Sequence, residues 1–140
     1  MERSTAQKLG VKTGMRAIFV NSEKLESTFG LPDVDLKTRL SAEFDFIMAF
    51  FKTQSEFKRT FPKLKIHLKK TGMLWLSWPK SRKLNSDLNL PKIIEIGYTF
   101  GLVESKTVSI DETWSAIKFT HPKKGKIYEN SFGTLPENHS

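Results

Sequence analysis

The sequence predicts a three-layer α/β domain whose mostly parallel sheet ends in an antiparallel hairpin. Three observations carry that expectation. First, the runs at residues 17–20, 44–51 and 73–77 are almost continuously apolar, as strands covered on both faces must be. Second, segments with helical spacing fall between and after them, at 55–70 and 90–100. Third, the strand-like runs 103–110 and 114–119 are separated only by Asp111-Glu112-Thr113, which is hairpin spacing.

Residues 1–14 are mixed, with Leu9-Gly10-Val11 expected to dock loosely and Thr13-Gly14 to turn. Ala17-Ile18-Phe19-Val20 is the first strand. Asn21-Ser22 can cap a short helix over 23–29, closed by Gly30 and Pro32. Val34 and Leu36 alternate with polar neighbours, so 34–40 reads as an edge strand. The stretch 44–51 is the most hydrophobic and should lie centrally. Ser55 then caps a helix in which Phe57, Phe61, Leu64 and Leu68 form one stripe at i, i+4, i+7 and i+11. Pro62 should kink or split it. Lys69 and Lys70 suit the negative end of the helix dipole, and Gly72 its left-handed exit. After the strand at 73–77 comes a polar stretch, then a largely buried helix with Pro91 in its first turn and Gly101 at its end. Residues 1–121 should form a single domain, and 122–140, with little to bury, a mobile tail.

Composition sets the outer limits. The chain has 140 residues, enough for one domain, and 38% hydrophobic residues, which argues against disorder. No apolar run approaches the roughly 20 residues of a bilayer span, so no membrane association is expected. There are no cysteines, which removes thiolate chemistry and fits a cytoplasmic location. Positive charge is regional. Lys52, Lys58, Arg59, Lys63, Lys65, Lys69, Lys70, Lys80, Arg82 and Lys83 are offset only by Glu56 between them, a net +9 in a chain of net +8. Such a field can attract an acidic protein, an anionic ligand or, more weakly, nucleic acid; it also reads simply as a solvated helix face.

Taken in order, "FDFIMAF", a helix, "LKKTGMLWLSWP", a second helix and a hairpin resemble the second half of a class I S-adenosylmethionine-dependent methyltransferase. More closely, "KLGVKTGMRAIFVN", "FDFIMAFF", "LKKTGMLWLSWPK" and "DETWSAIKF" resemble a family of small bacterial proteins known as a domain of unknown function on a methyltransferase-like fold. The resemblance runs over residues 4–119. It implies a reduced, methyltransferase-like Rossmann fold and says little about activity. The cofactor half departs from the superfamily. Where a glycine-rich loop should bring backbone to the cofactor, the chain has Asn21-Ser22-Glu23-Lys24-Leu25-Glu26, with no glycine before Gly30. Asp35 and Glu43 are poorly placed to grip a ribose, and only three residues separate Leu40 from Phe44, so a strand and two crossover helices are missing. Side chains at 21–26 should crowd the cofactor space. S-adenosylmethionine is therefore not expected, and no other cofactor is implied.

The remaining constellations are modest. His67, His121 and His139 lie far apart, so no metal site is expected, and no Gly-x-Ser-x-Gly elbow or phosphate loop appears. Asp45, between two phenylalanines, reads as structural. Trp75 and Trp78 are three apart on a strand and must face opposite ways; Trp75 is the core candidate. Trp78 and Lys80 lie past the strand's carboxyl end, where open α/β sheets bind ligands. They read either as a lip around an anionic or flat ligand or, for Trp78, as a plug. Asp111, Glu112 and Trp114 could form a site with Lys80 or Asn21, or merely a turn whose aspartate binds backbone amides. The ligand-crevice candidates are thus Asn21, Ser77, Trp78, Lys80, Asp111, Glu112 and Trp114. The functional expectation is a non-catalytic binding module whose basic helix meets an acidic partner. A degenerate methyltransferase or small-anion enzyme is the alternative, and a nucleic-acid binder the third reading.

Overall fold

A computed structural model describes residues 3–128 and 130–136. Six strands form one sheet in the order β2-β1-β3-β4-β6-β5, comprising β1 (Arg16–Val20), β2 (Asp35–Lys37), β3 (Phe44–Phe50), β4 (Leu68–Pro79), β5 (Val103–Ser109) and β6 (Trp114–Thr120). The pairs β1–β2, β1–β3 and β3–β4 are parallel, whereas β6 runs antiparallel to both β4 and β5. The expected α/β architecture with its closing hairpin is therefore present. β3 sits between two parallel neighbours, and all its residues except Asp45 are buried, which accounts for its unbroken hydrophobicity.

The helices are α1 (Thr5–Leu9), α2 (Gln54–Ile66) and α3 (Leu90–Thr99). Each sheet face carries its own apolar cluster. On one, Phe57, Phe61 and Leu64 of α2 and Ile93, Ile94 and Ile96 of α3 pack against Ile47, Leu74, Leu76 and Phe119. On the other, Ala6 and Leu9 of α1 join Phe46, Met48, Phe50 and Trp75. This second face has the thinner cover. Between β1 and β2 stands only a 3-10 turn, Leu25–Thr28, and residues 38–43 carry β2 to β3 without a helix.

Several local expectations are corrected. The first residues do not dock loosely. Ser4 accepts from the Gln7 N–H while the Gln7 side chain accepts from the Ser4 N–H, a reciprocal cap for α1. Leu9 is then fully buried, and the Trp75 indole donates to its carbonyl at 3.0 Å. The cap of α2 is Thr53, two residues before Ser55, because the Thr53 hydroxyl accepts from the Glu56 N–H at 3.1 Å. The helix continues through Pro62 and ends at Ile66, not near Lys70. Leu68 already pairs with Phe44, so "LKKTG" belongs to β4, with a bulge before Met73. Gly72 lies inside that strand. Its requirement is close approach, since a Cβ there would meet the Phe44 carbonyl oxygen at 2.8 Å. At 23–29 Asn21 and Ser22 cap nothing; Lys24, in the left-handed region at φ 67°, precedes the 3-10 turn.

α3 keeps the predicted frame, with Pro91 in the first turn and Gly101 at φ +86°, and Asn89 adds a cap that was not predicted. The described part of the segment expected to be a mobile tail makes contacts with the domain. Leu135 is buried, the Asn130 amide donates to Glu104 at 2.8 Å, and Gly133 lies against Tyr98 and Ile94. The reason is that α3 is apolar on its outer side too and needs cover. Residues 137–140 lie outside the described residues.

Candidate functional site

The carboxyl ends of β1, β3 and β4 point the same way, and a crevice of about 610 Å3 opens there. One wall is the segment after β1, contributed by Asn21, Ser22, Glu23 and Leu25. The other sides come from Phe50, Lys52, Glu56, Leu84, Thr113 and Trp114. The crowding expected from residues 21–26 does not fill the space, because these side chains line one wall instead. Asn21 Nδ2 reaches across to donate to the Phe50 carbonyl at 3.3 Å, and the Ser22 hydroxyl donates to Glu26 at 2.5 Å. Phe50 meets Trp114 edge to face at 5.1 Å. Glu56 accepts from the Lys52 N–H at 3.0 Å, so it also serves the start of α2. The crevice thus combines an aromatic corner, an amide, a lysine and two carboxylates.

Backbone strain gathers around it. Of eight described non-glycine residues at positive φ, seven lie in two loops at this end of the sheet. These are Asn21, Glu23 and Lys24 after β1, and Ser81, Arg82, Leu84 and Asn85 after β4. Left-handed backbone costs a non-glycine residue roughly 1–2 kcal/mol, and such residues concentrate at ligand sites and switches.

The predicted crevice residues separate. Asn21 and Trp114 line the crevice. Ser77 is fully buried beneath the strand end, in register with Phe50, and its hydroxyl has no partner among the described residues. Trp78 is neither lip nor plug. The alternation along β4 turns it to the α2–α3 face, where it joins the core at 8% exposure. Lys80 Nζ donates to the Ser109 hydroxyl at 2.5 Å and to the Asp111 carbonyl at 2.6 Å, which pins the loop after β4 to the hairpin. Asp111 accepts from the backbone of Thr113 and Trp114 at 2.8 and 2.7 Å, and the Glu112 carbonyl accepts from Lys83 Nζ at 2.7 Å. Lys80, Asp111 and Glu112 hold a turn rather than facing the crevice.

The basic patch also divides. Lys65 Nζ donates to the Phe100 carbonyl at 2.6 Å, at the carboxyl end of α3 where a cation is favoured. Lys69 is on β4 and pairs with Asp45 at 3.0 Å, so neither it nor Lys70 extends a basic helix. Among the described residues, Lys58, Arg59, Lys63, Lys70 and Arg82 make no ion pair, and all five are exposed. Asp45 bridges three strands, accepting from the Arg16 N–H at 2.8 Å as well as from Lys69. Burial would raise its pKa, but these two hydrogen bonds and the lysine charge hold it below the ordinary carboxylate value.

His67 and His121 contact the carbonyls of Ala42 and Leu68, and His139 lies outside the described residues. No cluster of three potential metal ligands occurs among the described residues. Sequence reasoning missed Ser22, Glu23, Leu25, Phe50, Lys52, Glu56, Leu84 and Thr113 as crevice residues. Phe50 and Lys52 carried a usable signal, since they end the central strand; Leu84 carried none, because only the unusual loop backbone turns it there.

No family model matches the chain, and no curated protein matches it. Solved structures do. Magnesium protoporphyrin IX methyltransferase from Synechocystis PCC 6803 aligns with a TM-score of 0.58 at 10% identity, over 84% of this chain and 78% of that one. Ribosomal protein L11 methylase from Lactobacillus delbrueckii subsp. bulgaricus gives 0.56 at 14% identity, over 85% and 75%. Precorrin-6y C5,15-methyltransferase from Geobacter metallireducens GS-15 gives 0.56 at 11%, over 84% and 86%. At such identities the likeness shows the fold, which is that of Rossmann-like methyltransferases. Among the described residues no helix is long and apolar enough to cross a membrane.

Proposed function

We propose that this chain is a non-catalytic binding module on a reduced methyltransferase-like fold, and that the outer face of α2 engages an acidic partner. The observation that carries this is the exposed, unpaired set Lys58, Arg59 and Lys63 on one helix. Single exposed ion pairs contribute only about 0–1 kcal/mol, so a useful affinity needs several acting together. Three free cations along one helix supply them and speed encounter. The fold resemblance to small bacterial proteins of this type, and a cytoplasmic location, belong to the same reading. Reversing charge in an R59E/K63E variant should abolish salt-sensitive binding to polyglutamate, read by anisotropy. Equal binding by both proteins reduces the patch to a solubility device.

The crevice favours a second reading, a degenerate methyltransferase or small-ligand enzyme, because its volume and strained rim suit a bound molecule. Thermal unfolding with S-adenosylmethionine or S-adenosylhomocysteine distinguishes the two. A ligand that binds only the folded state raises stability by RT ln(1 + [L]/Kd). A saturable rise in melting temperature makes the crevice reading the better one.

A further inference from the structure

Charge is not all that α2 offers. Between it and α3 lies a groove of about 240 Å3, bounded by Lys58 and by Lys92, Glu95, Ile96, Thr99 and Phe100. Buried Ile96 floors it, and the Phe100 ring rests against Phe61 at 5.8 Å. Lys58 and Lys92 stand on opposite helices at its rim; Glu95 is paired with Lys92 at 2.9 Å, which leaves Lys58 the uncompensated charge. On the outward face, Ile66 follows Arg59 by seven residues and Lys63 by three, so the three share one stripe. Ile66 is 74% exposed. Apolar surface thus lies beside cations at two places, the α2–α3 groove and the outward face of α2.

That mixture separates classes of polyanion. A nucleic-acid strand gains from exposed aromatic rings beside basic groups. Here the α2 rings Phe57 and Phe61 are fully buried, and the ring at the groove, Phe100, is half-buried and tilted against Phe61 rather than standing free as a stacking platform. An acidic peptide with apolar side chains gains from both the cations and the groove. We infer that the partner of α2 is an acidic protein segment carrying apolar side chains. Its carboxylates lie against Lys58, Arg59 and Lys63, and one apolar side chain enters the α2–α3 groove. The inference rests on α2 being the contact face and adds the chemistry of what it contacts.

The test uses the full chain and three labelled probes of equal negative charge. One peptide combines Glu with Gly and Ser, a second carries Leu at some of the neutral positions, and the third probe is a single-stranded oligonucleotide. The leucine peptide should bind about tenfold more tightly than the leucine-free one, the effect of burying roughly one apolar side chain. Thr99→Trp, which fills the groove from an exposed rim position, should remove that advantage and leave the leucine-free peptide unaffected. Ile66→Ser should remove a smaller part, and R59E/K63E should weaken both peptides. Thermal unfolding confirms that each variant is folded. Equal affinity for the two peptides, both lost in R59E/K63E, overturns the groove while leaving the contact face in place. Tighter binding of the oligonucleotide than of either peptide overturns it in favour of phosphate recognition. Absence of binding by all three overturns both the groove and the contact face.

Discussion

Gly97 offers the sharpest test of the packing described above. It lies inside α3, where alanine is ordinarily preferred by about 1 kcal/mol. Here a Cβ would fall 2.2 and 2.4 Å from two ring carbons of Phe119. That ring cannot swing aside. Phe119 is fully buried on β6 and packs edge to face on Phe61 at 5.5 Å, so relief must come from separating α3 from the sheet. Overpacking of this kind costs typically 1–3 kcal/mol, and so severe an overlap belongs at the upper end. After the gain in helix preference, Gly97→Ala should destabilise by about 1–2 kcal/mol. With a urea dependence of about 2 kcal/mol per molar, the unfolding midpoint should fall by roughly 0.5–1 M. Combining it with Phe119→Leu should give less loss than the two single changes added, because the smaller side chain vacates the contact. An unchanged or raised midpoint for Gly97→Ala would refute the close approach of α3 to β6.

Other expectations follow from the same contacts. Asp45→Asn should destabilise by about 1–2 kcal/mol near neutrality, since it removes a charged acceptor from Lys69 and a backbone amide. Because the folded pKa of Asp45 is depressed, its contribution is present above the ordinary value of 3.8 and is lost as pH falls below it. Acid unfolding curves of wild type and variant should therefore converge there, and a gap that persists undiminished at low pH argues against the ion pair. Tyr98 moves the other way. Burial first, and then the Glu104 carboxylate at 3.3 Å, push its phenol up to about 12 from 10.0. Stability should be lost as pH rises through that interval, and tyrosinate absorbance should lack its late component in Tyr98→Phe. Trp75→Phe leaves the Leu9 carbonyl without its indole donor. It should cost roughly 1–3 kcal/mol and expose α1 to proteolysis before the sheet unfolds; cleavage at the wild-type rate would show that the bond does not anchor the helix.

Much of the architecture was legible because it is written in local hydrophobicity. The run from Phe44 to Phe50 has no polar face to offer, so it had to be central, and three intervening residues could make only a hairpin of the last two strands. α3 carried its own punctuation in Pro91 and Gly101. By contrast, "LKKTG" has a helix-ending composition, and its assignment to β4 came from Leu68 meeting Phe44 across the sheet. Propensity was outweighed there by pairing with residues far away in sequence. α1 was missed because its five residues are too short to show periodicity, although Ser4 and Gln7 carried a capping signature.

The candidate site was less legible for a related reason. The sequence alone determined the alternation of the central strands with α2 and α3, the regional positive charge and the absence of glycine from the loop after β1. All three are properties of neighbouring residues. Only the tertiary structure decided which lysines are tied to carbonyls and which stand free, which face Trp78 takes, and that the side chains of 21–25 wall a crevice instead of closing it. Those outcomes depend on side-chain direction at one position and on atoms that another segment brings to within a few ångströms, such as the Phe100 carbonyl above Lys65 or Phe50 beside Trp114. No pattern along the chain encodes such distances, because they arise when distant segments pack together.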